Sequence, residues 1–165
     1  MVNSPSGCAN EYVSKLGLAW VPPCNGIDLE SKRTRSMAGP IWQLEDFKNC
    51  ARRCVAGDRI ALIGITRGVS HDMQALKLTF PYVAEIVLLL DQNQHFIGSV
   101  WCQATPSRVP KHPDTEWYPC DAYRIEVEQD MDTGETLLVD YYLKMSRTLN
   151  GRTLLMVSVH ESEFD

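Results

Sequence analysis

Apolar residues recur at helical spacing in one stretch of this chain and at strand spacing through most of the rest. Between Pro40 and Gly57, the residues Ile41, Leu44, Phe47, Cys50, Ala51 and Cys54 fall three or four apart, so a helix over 41–56 carries them as one stripe. Pro40 suits a first turn and Gly57 a stop. Glu45 and Asp46 precede Arg52 and Arg53, the order that complements the helix dipole. A shorter helix at 9–16 places Tyr12, Val13 and Leu16 on one side, with Gly17 to end it.

After Gly57 the pattern turns to β. Runs rich in Val, Ile, Leu and Tyr predict strands at 58–66, 74–80, 83–90, 95–103, 122–129, 135–147 and 152–160. Asp91–Gln94 and Asp130–Gly134 read as hairpin loops. Asn150-Gly151 reads as a two-residue type I′ turn that pairs Leu149 with Arg152. Counting back from it sets Met145 opposite Met156 and Tyr142 opposite Val159, and neither face of that hairpin is then polar throughout. Residues 104–121, with four prolines, form a long irregular connection. Short turns between strands argue against βαβ units. The expected fold is α+β: a curved antiparallel sheet or partial barrel of about seven strands packed on one N-terminal helix. One domain, 1–165, is expected, with an irregular segment over 1–40, the main helix at 41–56 and a β meander over 58–160.

Composition narrows the functional classes. The chain has 165 residues, 44% of them hydrophobic, which is enough apolar content for a folded core. Its net charge of −5 argues against general nucleic-acid binding, which needs a basic surface. The basic clusters Lys32-Arg33-Arg35 and Arg52-Arg53 are small enough to be solvated surface. The longest apolar run, Ile86–Leu90, falls far short of the roughly 20 residues of a membrane span. The start, Met-Val-Asn-Ser-Pro-Ser-Gly, lacks the features of a secretory signal, so a cytoplasmic location is expected. Six cysteines are too sparse for a disulfide scaffold and read as free thiols.

Several residue groups spell out chemistry, and each has a plainer reading. Cys50 and Cys54 lie one helical turn apart, and Cys8 and Cys24 could complete a tetrahedral zinc site. The spacing lacks the short knuckle pairs of zinc motifs, and both helix cysteines belong to the apolar stripe, so no metal and no cofactor are expected. Ser70-His71-Asp72 names the three residues of a hydrolase triad, but sequence neighbours cannot adopt its geometry, and a turn is the expectation. Asp130-Met-Asp132-Thr-Gly134-Glu135 opens like a calcium loop, yet its twelfth position is Tyr141 and its flanks read as strands. The four histidines lie at turns and strand ends, with no ligand-spaced partner.

Two sites suit acid–base work: Glu85, set in an apolar run, and the strand face of Asp140, Tyr142 and Lys144. Trp101, Trp117 and Tyr118 flank or occupy the proline-rich connection. With Tyr142 and Met156 of the last hairpin, they are the candidate interface anchors. No constellation has the spacing of a specific catalytic motif. The expectation is therefore a small, acidic, non-catalytic binding protein of the inhibitor, immunity or adaptor type, docking a protein partner or a second copy of itself. The alternative is a small-molecule enzyme or ligand carrier whose catalytic candidates, Glu85, Asp140 and Tyr142, sit in a helix-plus-sheet cup.

Overall fold

A computed structural model describes residues 10–22, 34–35, 39–104 and 116–161. In chain order the elements are α1 (Glu11–Leu16), β1 (Thr34–Arg35), α2 (Leu44–Val55), β2 (Leu62–Gly64), α3 (Arg67–Ala75), α4 (Phe80–Leu88), α5 (Gln92–His95), β3 (Phe96–Ala104), β4 (Glu116–Asp130), β5 (Thr136–Arg147) and β6 (Leu154–Glu161). The strands form one open sheet in the order β1-β3-β4-β5-β6-β2. Every neighbouring pair is antiparallel except β2 and β6, which run parallel. The fold is α+β with a mixed sheet. It departs from expectation in having six strands, and in packing α2, α3 and α4, not one helix, against the sheet's inner face.

The main helix keeps its stripe: Phe47, Cys50, Ala51 and Cys54 are buried. It starts at Leu44 instead of 41, after an extended Gln43 (φ −66°, ψ 125°), and the amides of Ile41 and Trp42 before it are bound by the Asp121 carboxylate, at 3.0 and 2.9 Å. Two segments expected as strands are not: 74–80 holds the end of α3, a turn and the first residue of α4, and 83–90 is largely α4. Thr66 Oγ1 accepts from the Val69 amide at 3.1 Å to start α3, and Thr79 Oγ1 accepts from the Tyr82 amide at 3.3 Å to start α4. Pro81 sits in the first turn of α4, where its missing N–H costs nothing. Val83, Ile86, Val87 and Leu90 then recur at helical spacing and are buried. Caps and period outweigh the strand preference of Val and Ile. Asp91 is likewise a cap, accepting from the amides of Asn93 and Gln94, so 91–94 is no hairpin loop. Of 58–66 only Leu62–Gly64 is strand. Gly64 allows the close approach of α3, since a Cβ there would lie 2.8 Å from Val69 Cγ1.

The last four strands lie close to where periodicity puts them, but β4 begins at Glu116, which places Trp117 and Tyr118 in a strand instead of a loop. The final hairpin also differs at its turn. The Gly151 amide bonds the Thr148 carbonyl and the Thr148 amide the Thr153 carbonyl, giving a four-residue loop over 149–152. Asn150 does not take the positive φ that a type I′ turn needs. Its side chain instead accepts from the Arg152 amide at 2.9 Å and from Thr148 Oγ1 at 2.7 Å.

From Arg147↔Leu154 to Met145↔Met156 the register is the one the sequence predicts; a bulge at Val157 then shifts it by one residue. Lys144 now pairs Ser158, Leu143 pairs Val159 and Tyr142 pairs His160. The extra residue sorts the two faces, because slipping by one turns every later side chain over. Val159 enters the core beside Leu143, while Ser158 and His160 join Tyr142 and Lys144 outside.

The core lies between the helices and the inner sheet face, around Phe47, Ile86, Trp101, Tyr123, Leu143 and Met156. A smaller cluster of Cys102, Cys120 and Val157, with Ile65, Val100 and Tyr118, forms on the outer face. Among the described residues no helix is long and apolar enough to cross a membrane. Cys8, Cys24, Lys32, Arg33, His112 and the prolines at 106, 110 and 113 lie outside the described residues.

Candidate functional site

Three of the expected interface anchors are interior. Trp101 and Met156 have no exposed surface and Trp117 is buried. Trp101 stacks on Trp20 with ring centroids 5.0 Å apart. Tyr118 is half-buried on the edge of the outer cluster. Glu85 is exposed on α4, turned away from the Val83, Ile86 and Val87 side that meets the core. Asp140 and Tyr142 do come together, on the outer face of the sheet.

That face carries a polar strip across three strands. Arg124, Tyr142 and His160 stand in one row over β4, β5 and β6, and Ala122, Lys144 and Ser158 in the next. The Arg124 guanidinium donates to Asp140 Oδ2 from Nε at 2.8 Å and also from Nη2. This hydrogen bond raises the Arg124 pKa above its ordinary value. The Tyr142 ring lies 5.0 Å from the His160 ring, with Lys144 Nζ 5.5 Å from its centroid. Ser158 Oγ is 3.0 Å from His160 Nδ1. Burial, and after it the nearby Cys102 and Cys120, push the Tyr142 phenol pKa up. These groups do not make an acid–base pair: the carboxylate is neutralised by an arginine and the phenol is held protonated.

Other candidates resolve into structure. Ser70, His71 and Asp72 are consecutive residues of α3, with His71 exposed and its Nδ1 3.8 Å from Asp72 Oδ1. Cys50 accepts a hydrogen bond from Arg53 Nη2 at 3.3 Å. Burial first, then Asp58, raises the Cys54 thiol pKa. Burial, and next the hydrogen bond with Cys102, raises that of Cys120 well above its usual range. Among the described residues no three metal-ligating side chains gather. An open groove of about 690 Å³ at the α3–α4 junction is lined by Met73, Leu78 and Phe80, and Lys77 is its one ionisable group.

The feature that sequence reading missed is an arm. β4 and β5 outrun their neighbours: β3 reaches only to Tyr123 and the pairing with β6 only to Tyr141. Beyond these, among the described residues, Arg124–Asp130 and Thr136–Asp140 pair with each other alone. The turn closes on itself through Met131 N to Glu135 O at 2.8 Å and Thr136 Oγ1 to Asp130 Oδ1 at 3.0 Å, a hairpin and not a cation loop. Residues 126–140 hold six acidic side chains and no lysine or arginine, in a chain whose whole net charge is −5. Met131, Leu137 and Leu138 are 40, 46 and 63% exposed there. Leu138 stands opposite Glu128 on the outer face and shares that face with Glu126 and Asp140. The strip therefore runs without a break from Leu138 to Tyr142. Its sequence signal was the absence of basic residues from two strongly patterned strands.

Comparison with protein-family models, curated proteins and solved structures gives no match for this chain.

Proposed function

We propose that this is a non-catalytic binding protein that docks another protein through the outer strip and arm of β4 and β5. The observation that carries the reading is the arm itself, a two-stranded projection with Met131, Leu137 and Leu138 exposed on it. Apolar side chains gathered on a projecting element have no folding role to explain their exposure, and such groups mark contact surfaces. The enzyme alternative asks for a carboxylate in a cup, whereas Glu85 faces solvent and Asp140 is bound by Arg124.

The test places a photo-crosslinking amino acid at Leu138, and as a control at Ile60, which is equally exposed but lies between α2 and β2. In cells that make the protein at its natural level, Leu138 should give a discrete protein adduct and Ile60 should not. No adduct at Leu138, together with a metabolite that raises the melting temperature by several degrees, refutes the binding reading in favour of a small-molecule site.

A further inference from the structure

We infer that the arm's partner is an extended protein segment in which basic and apolar residues take turns at every second position, on one face. This rests on the binding reading and names the chemistry of its partner. Charge selects the partner class. Six acids without a base over residues 126–140 repel nucleic acid and anionic membranes. They also repel a second copy of the same arm, so the face is unsuited to symmetric self-association. Geometry selects the pattern. Glu126 and Glu128 lie two residues apart on β4, and Asp140 and Leu138 stand directly opposite them on β5. Leu138 is thus an apolar point bordered by carboxylates.

An extended chain has the same rise per residue and turns every second side chain to one face, so the side chains it presents to the arm, basic and apolar in turn, can meet the carboxylates and the leucine. The strip changes sign at Arg124, which pairs with Asp140, and Lys144 lies beyond it. A basic segment is therefore confined to the arm, a footprint of about five residues by the strand rise. The carboxylates speed encounter and set selectivity, while Leu138 supplies the apolar contact that holds the complex.

The test uses labelled peptides of about 12 residues, long enough to exceed the footprint. In one, every second residue is lysine or leucine in turn with serine between them, in the next serine replaces the leucines, and in the third glutamate replaces the lysines; binding is followed by fluorescence anisotropy in low and high salt. The lysine–leucine peptide should bind about tenfold or more tightly than the lysine–serine peptide, and more weakly in high salt. The glutamate–leucine peptide should not bind. Leu138→Ser should weaken the lysine–leucine complex about tenfold, and Glu126→Gln with Glu128→Gln should weaken it and flatten its salt dependence. Both variants should melt as the wild type does, since these residues are exposed. Equal binding of the lysine–serine peptide, indifference to Leu138→Ser, or no binding by any peptide overturns the inference. If the Leu138 adduct persists in that case, docking stands with a partner of other chemistry. If the adduct is lost too, the binding reading falls with it.

Discussion

Asp121 has no exposed surface, and its carboxylate accepts hydrogen bonds from the amides of Ile41 and Trp42 and, at 2.7 Å, from Ser99 Oγ. Those bonds tie the approach to α2 onto β4, and Trp42 is held further by Nε1 donating to the Pro119 carbonyl at 2.8 Å. Asp121→Asn keeps the shape but turns an amide N–H₂ toward groups that are themselves donors, so at least one amide loses its acceptor. A hydrogen bond to a charged group contributes about 1.5–3 kcal/mol, and a stranded buried donor costs about 1–3 kcal/mol. Removing the charge also relieves its desolvation, so the terms do not simply add.

The expected loss is about 3 kcal/mol for Asp121→Asn and about 3–5 kcal/mol for Asp121→Ala. In a chain of this length that lowers the melting temperature by about 6–20 °C. Urea titration should show the midpoint falling with an unchanged slope. Ser99→Ala alone should cost about 1–2 kcal/mol, and the double variant should deviate from additivity by at least about 0.5 kcal/mol. A loss below about 1 kcal/mol for Asp121→Asn, or strict additivity with Ser99→Ala, refutes the anchoring role.

Phe47 is fully buried on α2, so Phe47→Ala should cost about 3–5 kcal/mol in denaturant melts. Gly64→Ala should cost about 1–3 kcal/mol by forcing Val69 Cγ1 aside, and less when Val69→Ala has already removed that methyl. Burial pushes the Tyr141 phenol from 10.0 up to about 12. The unfolded chain therefore releases this proton first, and stability should fall from pH 10 to 12; Tyr141→Phe should flatten that limb in alkaline melts. Cys120, buried and with a raised pKa, should react with a thiol reagent at pH 8 only as fast as the protein unfolds.

The helix over α2 was legible from its spacing of three and four, and the strands β3, β5 and β6 from runs of Val, Ile, Leu and Tyr bounded by polar breakers. The Val83–Leu90 region was misread as strand because its β-branched composition was weighed above Thr79 and Pro81, the residues that start a helix there. The strand expected at 58–66 holds only over Leu62–Gly64, and its parallel pairing with β6 could not be read, since that depends on tertiary packing and not on local pattern. At the outer face the sequence put Asp140, Tyr142 and Lys144 together correctly. It could not show that Arg124 neutralises Asp140, because that depends on the register of β4 on β5. The expectation set Val159 opposite Tyr142, where His160 stands, because the one extra residue of the bulge at Val157 left no mark in the pattern. The anchors Trp101 and Met156 failed for a different reason: an aromatic or sulfur side chain looks the same in a core as at an interface.

The parallel pairing of β2 with β6 also bears on how the chain reaches this fold. Leu62 and Leu154 sit side by side, yet three helices and three strands separate them along the chain. The β4–β5 hairpin, by contrast, closes across a turn of a few residues. Loop closure makes the hairpin fast and the β2 docking slow, so β2 joins an otherwise assembled sheet. Until it does, Leu154, Leu155 and Met156 form an open apolar strand edge, the kind that pairs with other chains. Refolding yield should therefore depend on protein concentration through this edge.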